Sequence, residues 1–465
     1  MLLGNARVGD RDVDIRIEDG RIAEIGSIGS GDIDLAGRWL LPGLWDEHVH
    51  FTQWALTSQR LDVSAAASAR EAAEIVRAVV GEELLVGVGF RDGLWPDAPH
   101  KELLDSAAPT VPVVLLSGDL HSVWLNTAAL LRFGHADHPT GLLREDAAFA
   151  VTAALGTVDD TTLDSWAREA AMAAAARGVV GVADLEMAWN RDTWERRIAS
   201  GHDALRVQFA IYTQDLEQAI DQGLRTGLEL EPLLTVGGYK VLTDGSLGTR
   251  TAHTYDSYPD GGTGLLTVEP EELRKYMTLA HNAGIESWVH AIGDRANTLA
   301  LDAFEAVGAK GRIEHAQLLA NADLPRFAAL GVSASVQPEH AMDDRDLADS
   351  VWDGRTGGLY AFRSLLDAGA TLRFGSDAPV SPLDPWVAIS AAVTRRRGDR
   401  EPWHPEQRIT PEEAIAASVR SSVAEGEPAD LVAVEADPFD AEGAHLEGMP
   451  VALTLLGGRI THEAL

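Results

Sequence analysis

His48 and His50 close the run Leu-Leu-Pro-Gly-Leu-Trp-Asp-Glu-His-Val-His, from Leu40 to His50. Side chains alternate across a strand, so residues two apart face the same way. Two imidazoles on one face, at the end of an apolar run, can grip one metal ion. An isolated His-x-His pair is nevertheless more often two hydrogen-bonded histidines than a pair of ligands. The question is whether other segments supply the missing donors at the ends of other strands.

Four later segments do. Lys240 lies in Tyr239-Lys240-Val241-Leu242-Thr243-Asp244-Gly245, and His290 in Trp288-Val289-His290-Ala291-Ile292-Gly293-Asp294. His315 ends Ile313-Glu314-His315-Ala316, and Asp377 ends Phe374-Gly375-Ser376-Asp377-Ala378-Pro379. Imidazole and carboxylate donors suit Zn²⁺, and also Fe²⁺ or Mn²⁺. Singly, each has an ordinary explanation: His290 and His315 as core histidines, Asp377 as a turn residue. Lys240 resists one, because lysine is almost never fully buried unpaired. Jointly, the ordinary readings need several coincidences in strand order.

The elements that must position these residues are legible as apolar runs alternating with helical patterns. After the His48 strand come Val179 to Ala183, Arg206 to Tyr212, Thr235 to Asp244, Glu286 to Ile292, Arg312 to His315, Val332 to Val336 and Thr371 to Gly375. An alanine-rich helix precedes the second. Pro270 opens another helix that Gly284 stops, and Asp323 is placed to cap one ending before Gly331. Eight buried strands with crossover helices predict an α/β fold, a (β/α)₈ TIM barrel, whose active sites form at the C-terminal strand ends.

Residues 52–161 are too long for a single strand-to-helix connection and are expected to form an inserted subdomain over the active site. They contain strand-like runs at Leu84 to Phe90 and Val111 to Leu116. Short alternating segments at both ends, with a hairpin signal at Asp19-Gly20, predict a composite β-sandwich from residues 1–42 and 424–465, around a barrel spanning 43–423.

Bulk properties narrow the classes. The 465 residues are 45% apolar, ample for a core, and carry a net charge of −34, which argues against nucleic acid or an anionic membrane as partner. With no cysteine, neither a disulfide nor a thiolate nucleophile is available. The polar N-terminus lacks a signal-peptide core, and no stretch is long enough to span a bilayer, so a cytoplasmic location is expected. A small molecule is the expected partner; a homodimer stays open.

The order His-x-His, Lys, His, His, Asp over strands one, four, five, six and eight resembles the amidohydrolase superfamily. More narrowly, it is similar to the YtcJ-like branch, amidohydrolase family 3, which includes N-substituted formamide deformylase. Further motifs carry the resemblance: Pro42 to His50, Gly118 to Asn126, Asp244 to Gly248, Glu314-His315-Ala316-Gln317, Ser335 to Pro338 and Gly375 to Val380. Two positions depart from the branch: Ala378 stands where Trp is usual, and Glu339 where a small residue is usual.

The resemblance implies a metal-dependent hydrolase acting on carbon–nitrogen bonds other than peptide bonds, cleaving an amide, N-acyl or N-formyl bond with a metal-activated hydroxide. His48 and His50 would bind the more buried of two Zn²⁺ ions, with Asp377 near it, and His290 and His315 the second. Lys240 would be carboxylated on its amine and bridge them; a single metal beside unmodified Lys240 is the alternative. Asp377 would serve as general base and then acid. His121 is a candidate donor to the oxyanion, with a structural role equally open. Arg295, Arg250 and Trp288 are weaker candidates for substrate contact, Trp288 being more readily a packing residue. Lactone or ester hydrolysis on the same site, and a non-catalytic regulatory protein on this scaffold, stay open.

Overall fold

A computed structural model describes residues 1–465 apart from 30, 82, 119–121, 156, 157, 260, 353, 441, 442 and 444. The chain divides into two compact units, one of Met1–Phe51 with Arg168–Leu465 and the other of Thr52–Ala167.

The first unit holds the barrel. Its strands are β1 (Leu44–Val49), β2 (Val179–Asp184), β3 (Arg206–Tyr212), β4 (Leu234–Leu242), β5 (Ser287–Ala291), β6 (Gly311–His315), β7 (Val332–Val336) and β8 (Leu372–Phe374). All seven pairings from β1 through β8 are parallel. The ring closes beyond the end of β8, where His50 N donates to Ala378 O at 2.9 Å and Asp377 N donates to His48 O at 2.7 Å. Gly375 permits this approach, since a Cβ there would lie 2.6 Å from the His48 backbone nitrogen. Closure therefore delivers Asp377 directly beside the two histidines of β1.

Crossover helices follow the strands as the sequence pattern predicts. One runs Pro270–Asn282, with Gly284 at φ 75° beyond its end. Asp323 differs from expectation: its side chain makes no capping hydrogen bond. It accepts instead from the Thr298 hydroxyl and from Arg326, which ties two neighbouring helices together.

Strands from both termini join one eight-stranded sheet, in the order Arg459–Glu463, Val451–Leu456, Leu431–Val434, Trp39–Pro42, Leu2–Val8, Arg11–Glu18 and Arg21–Gly26, with Ile33–Asp34 on Leu2–Val8. Leu3, Ile15, Ile17 and Leu40 pack with Leu431, Leu453 and Leu455 in one core. Asp19 and Gly20 both take positive φ, 47° and 76°, the backbone of a tight type I′ hairpin. The second unit carries a five-stranded sheet that includes Leu85–Phe90 and Val113–Ser117, paired parallel. Among the described residues, no helix is long and apolar enough to cross a membrane.

A buried charge cluster knits the barrel near β1. Glu47 accepts from Arg312 Nη1 at 2.9 Å, from Arg373 Nη1 at 3.1 Å and from Arg420 Nε at 2.7 Å. Burial works to raise the Glu47 carboxyl, but Arg420, Arg312 and Arg373 hold it down at about 2. Glu47→Gln is expected to lower the unfolding free energy by about 3–5 kcal/mol, read by urea denaturation at pH 7, because three guanidinium groups lose their counter-charge. A depressed acid stabilises above its unfolded pKa. The gap between wild type and variant should therefore narrow as pH falls from roughly 4 toward 2.

Candidate metal centre

The strand ends bring five of the expected ligands into one cluster. His48 Nε2 lies 3.3 Å from Asp377 Oδ1, and His50 Nε2 lies 3.4 Å from the same oxygen. Ligand atoms of His48, His315 and Asp377 all fall within 4.8 Å of one another. The His48 and His315 rings are 4.9 Å apart, and His290 stands 4.5 Å from His315. His290 Nε2 lies 3.4 Å from both Asp244 Oδ1 and the Gly245 carbonyl. Lys240 is buried on β4, its Nζ without a hydrogen-bond partner among the described residues.

Two ligands sit on backbone that side chains rarely adopt. His315 has φ 70° and Asp377 φ 57°, both left-handed. Such residues cost on the order of 1–3 kcal/mol each and persist where the surroundings over-determine them. Here the turn out of each strand swings the side chain over the barrel mouth.

The electrostatics set the expected ligands apart, with His48, His315 and Lys240 lowered, Asp377 held as an anion and His50 raised. Burial pushes the His48 imidazole down to about 4. Burial, with the neighbouring His290 and His48, drives His315 well below its usual range. Burial also lowers the Lys240 amine to about 8. Against its own burial, Asp377 is held well below the carboxylate range by His48, His50 and His315. For His50, burial is outweighed by the Asp377 carboxylate, which raises it.

This arrangement fits a bound cation. A neutral His48 and an ionised Asp377 place two lone-pair acceptors 3.3 Å apart. His50 Nδ1, His315 Nδ1 and Lys240 Nζ are buried and unpartnered in the same cluster. Buried polar atoms without partners are costly, and a divalent ion would suit the imidazole and carboxylate members of this set.

Three carboxylates that sequence reasoning passed over hold the ligands in place. Asp46 accepts from His48 N and Ser376 N, both at 3.0 Å, stitching β1 to the residues after β8. Asp244 accepts from Ile292 N at 3.0 Å, Gly293 N at 2.8 Å and His253 N at 2.9 Å, fixing the turn that follows His290. Glu314 lies 2.8 Å from His48 Nδ1. Two of the three stand beside a ligand in sequence, in Asp46-Glu47-His48 and Glu314-His315, which was the available signal.

The remaining candidates are Trp288, Arg250, Arg295 and His121. Trp288, a weak candidate for substrate contact and more readily a packing residue, is 2% exposed and packs inside the barrel with Ala183, Ala210 and Tyr212. Arg312 Cζ stacks 3.7 Å from its ring. Gly238 makes room for it, as a Cβ there would come 2.6 Å from the indole. Trp288 is one strand layer below His290, so its role is packing. Arg250 and Arg295 have exposed side chains, on the loop after β4 and in the first turn of the helix after β5. His121 lies outside the described residues.

Comparison with known proteins agrees with this geometry. The model of the amidohydrolase family matches residues 32–462. The chain belongs to the amidohydrolase family. It is 30% identical to Protein LONG AFTER FAR-RED 3 of Arabidopsis thaliana, over 95% of this chain and 87% of that protein. It is 27% identical to the putative amidohydrolase YtcJ of Bacillus subtilis, over 98% and 97%, and 25% identical to N-substituted formamide deformylase of Arthrobacter pascens, over 93% and 90%. The fold is shared with an uncharacterized metal-dependent hydrolase from Pyrococcus horikoshii, at a TM-score of 0.79 and 24% identity, covering 96% of this chain and 99% of that one. The family is one of metal-dependent hydrolases.

Proposed function

We propose that this amidohydrolase hydrolyses the carbon–nitrogen bond of a small N-acyl or N-formyl amine, releasing a carboxylic acid and an amine. The observation that carries the reading is the His48–Asp377 contact, two acceptors 3.3 Å apart in a cluster of unpartnered buried donors. The similarity to N-substituted formamide deformylase supports amides as the substrate class.

His48, His50, Lys240, His290, His315 and Asp377 would hold two divalent ions, with Zn²⁺ the first choice and Fe²⁺ or Mn²⁺ compatible with the same donors. When bound, such ions supply Lewis acidity, which polarises a carbonyl and brings the pKa of water toward neutrality. The residues do the rest. Lys240, lowered to about 8, has the neutral amine that captures CO₂; the product is a carbamate anion and a released proton. That anion replaces an ammonium that the ions would repel. Asp377, ionised and adjacent to both β1 histidines, takes the proton from the attacking water at its carboxylate and returns it to the departing nitrogen. The buried walls keep these charges out of bulk water, where they act more strongly.

The test is an assay of released amine or alcohol across N-formyl amines, N-acyl amines, and esters and lactones of matched acyl groups. The reading expects amides to be turned over with the higher kcat/KM. Faster turnover of the matched esters or lactones would transfer the activity to that class. A metal-loaded protein that hydrolyses neither would favour a regulatory role.

A further inference from the structure

Glu314 and His48 are 266 residues apart in sequence and meet in the interior, with Glu314 Oε2 2.8 Å from His48 Nδ1. Both side chains are buried, at 0% and 1% exposure. The second oxygen of Glu314, Oε1, accepts from Arg312 Nε at 2.5 Å. Arg312 directs its other donors to Glu47, Nη1 to Oε2 at 2.9 Å and Nη2 to the carbonyl at 2.8 Å. Glu47 is held in turn by Arg373 and Arg420. A continuous column of alternating charge therefore backs His48.

The column dictates where the His48 proton sits. A carboxylate paired this closely with a guanidinium is ionised, and an ionised carboxylate only accepts hydrogen bonds. The 2.8 Å contact then requires hydrogen on Nδ1. In the neutral ring the lone pair is then on Nε2, the nitrogen that faces Asp377 Oδ1. The Gln337 amide nitrogen is a longer contact, 3.3 Å from the same Nδ1, and would donate to it only in the opposite tautomer.

We propose that Glu314 is a positioning residue of the metal centre: its bond to Nδ1 sets the ring orientation and tautomer of His48, and Arg312 holds Glu314 in place for that task. Carboxylates behind a ligating histidine raise its basicity, and losing them commonly weakens metal binding about 10–100-fold. The inference rests on the metal-centre reading above, so its first readout needs no metal.

The full-length metal-free protein, labelled with ¹⁵N-histidine, is examined by NMR, with His48 assigned from its absence in His48→Asn. The expected spectrum has a protonated Nδ1. In Glu314→Gln, a single amide oxygen can accept from His48 or from Arg312 but not serve both as the carboxylate does. The Nδ1–H preference should be lost, and zinc affinity, titrated against a chelator, should fall about 10–100-fold. A wild-type His48 with no hydrogen on Nδ1 overturns the proposal. So does wild-type zinc affinity in a folded Glu314→Gln protein. If that variant does not fold, the wild-type spectrum decides alone. A wild-type chain with the expected tautomer that takes up no zinc would sink the metal-centre reading and leave the Glu314–His48 assignment standing.

Discussion

Asp377→Asn is expected to retain its metal and to lose about 10²–10⁴-fold in kcat, the usual contribution of a positioned general base. The side chain keeps its size and an oxygen ligand, so closure of the barrel beside His48 should survive. What it loses is the capacity to accept a proton. The contrast between metal content and turnover is the informative part. Metal analysis of the variant should match wild type, while amine release falls. A proton acceptor elsewhere would leave kcat near normal, and a purely ligating Asp377 would lose metal and activity together.

The second large effect is at Lys240. Lys240→Ala removes the group proposed to hold the ions as a carbamate, and we expect metal content and kcat/KM to fall, the latter by about 10³-fold or more, several kcal/mol of lost electrostatic stabilisation. The wild-type enzyme should also depend on CO₂ in a way set by the amine. With a pKa of about 8, roughly one amine in ten is neutral at pH 7, against fewer than about one in a thousand for an ordinary lysine. Protonation competes with carboxylation, so the bicarbonate needed to reactivate metal-free, CO₂-stripped protein should rise as pH falls below 8. Reactivation that ignores bicarbonate at pH 6.5 and 8.5 alike would favour an unmodified lysine beside a single metal.

Much of this site was legible in the chain because a parallel barrel has a simple grammar. Each strand is an apolar run, its functional end is the C-terminal one, and two-residue alternation gives the face. That logic brought His48, Lys240, His290, His315 and Asp377 to one end of one barrel. It could not give depth. Trp288 has the same parity as His290 and points inward, yet it lies a layer lower, where Gly238 leaves space for it. Nor could it give partners distant in sequence: the Glu314–His48 and Ser376–Asp46 bonds join residues 266 and 330 apart. The left-handed turns at His315 and Asp377 were equally silent, since neither residue is glycine.

The departures from the branch now have places. Ala378 is fully buried, and its carbonyl accepts from His50 N, so the change from the usual Trp falls at the barrel seam beside Asp377. Glu339 is bonded by Arg397 Nε at 2.8 Å, and burial raises its carboxyl to about 7. Both lie just beyond strands of the same barrel end.

The central claim is that His48, His50, Lys240, His290, His315 and Asp377 form a divalent metal site that drives amide hydrolysis. Elemental analysis of the purified full-length protein, paired with amine release before and after chelation, tests it most directly. The account predicts about two equivalents of divalent metal per chain, activity abolished by chelation and restored by Zn²⁺, and neither metal nor activity in His48→Ala/His315→Ala. Undiminished amine release from a metal-free protein would contradict it.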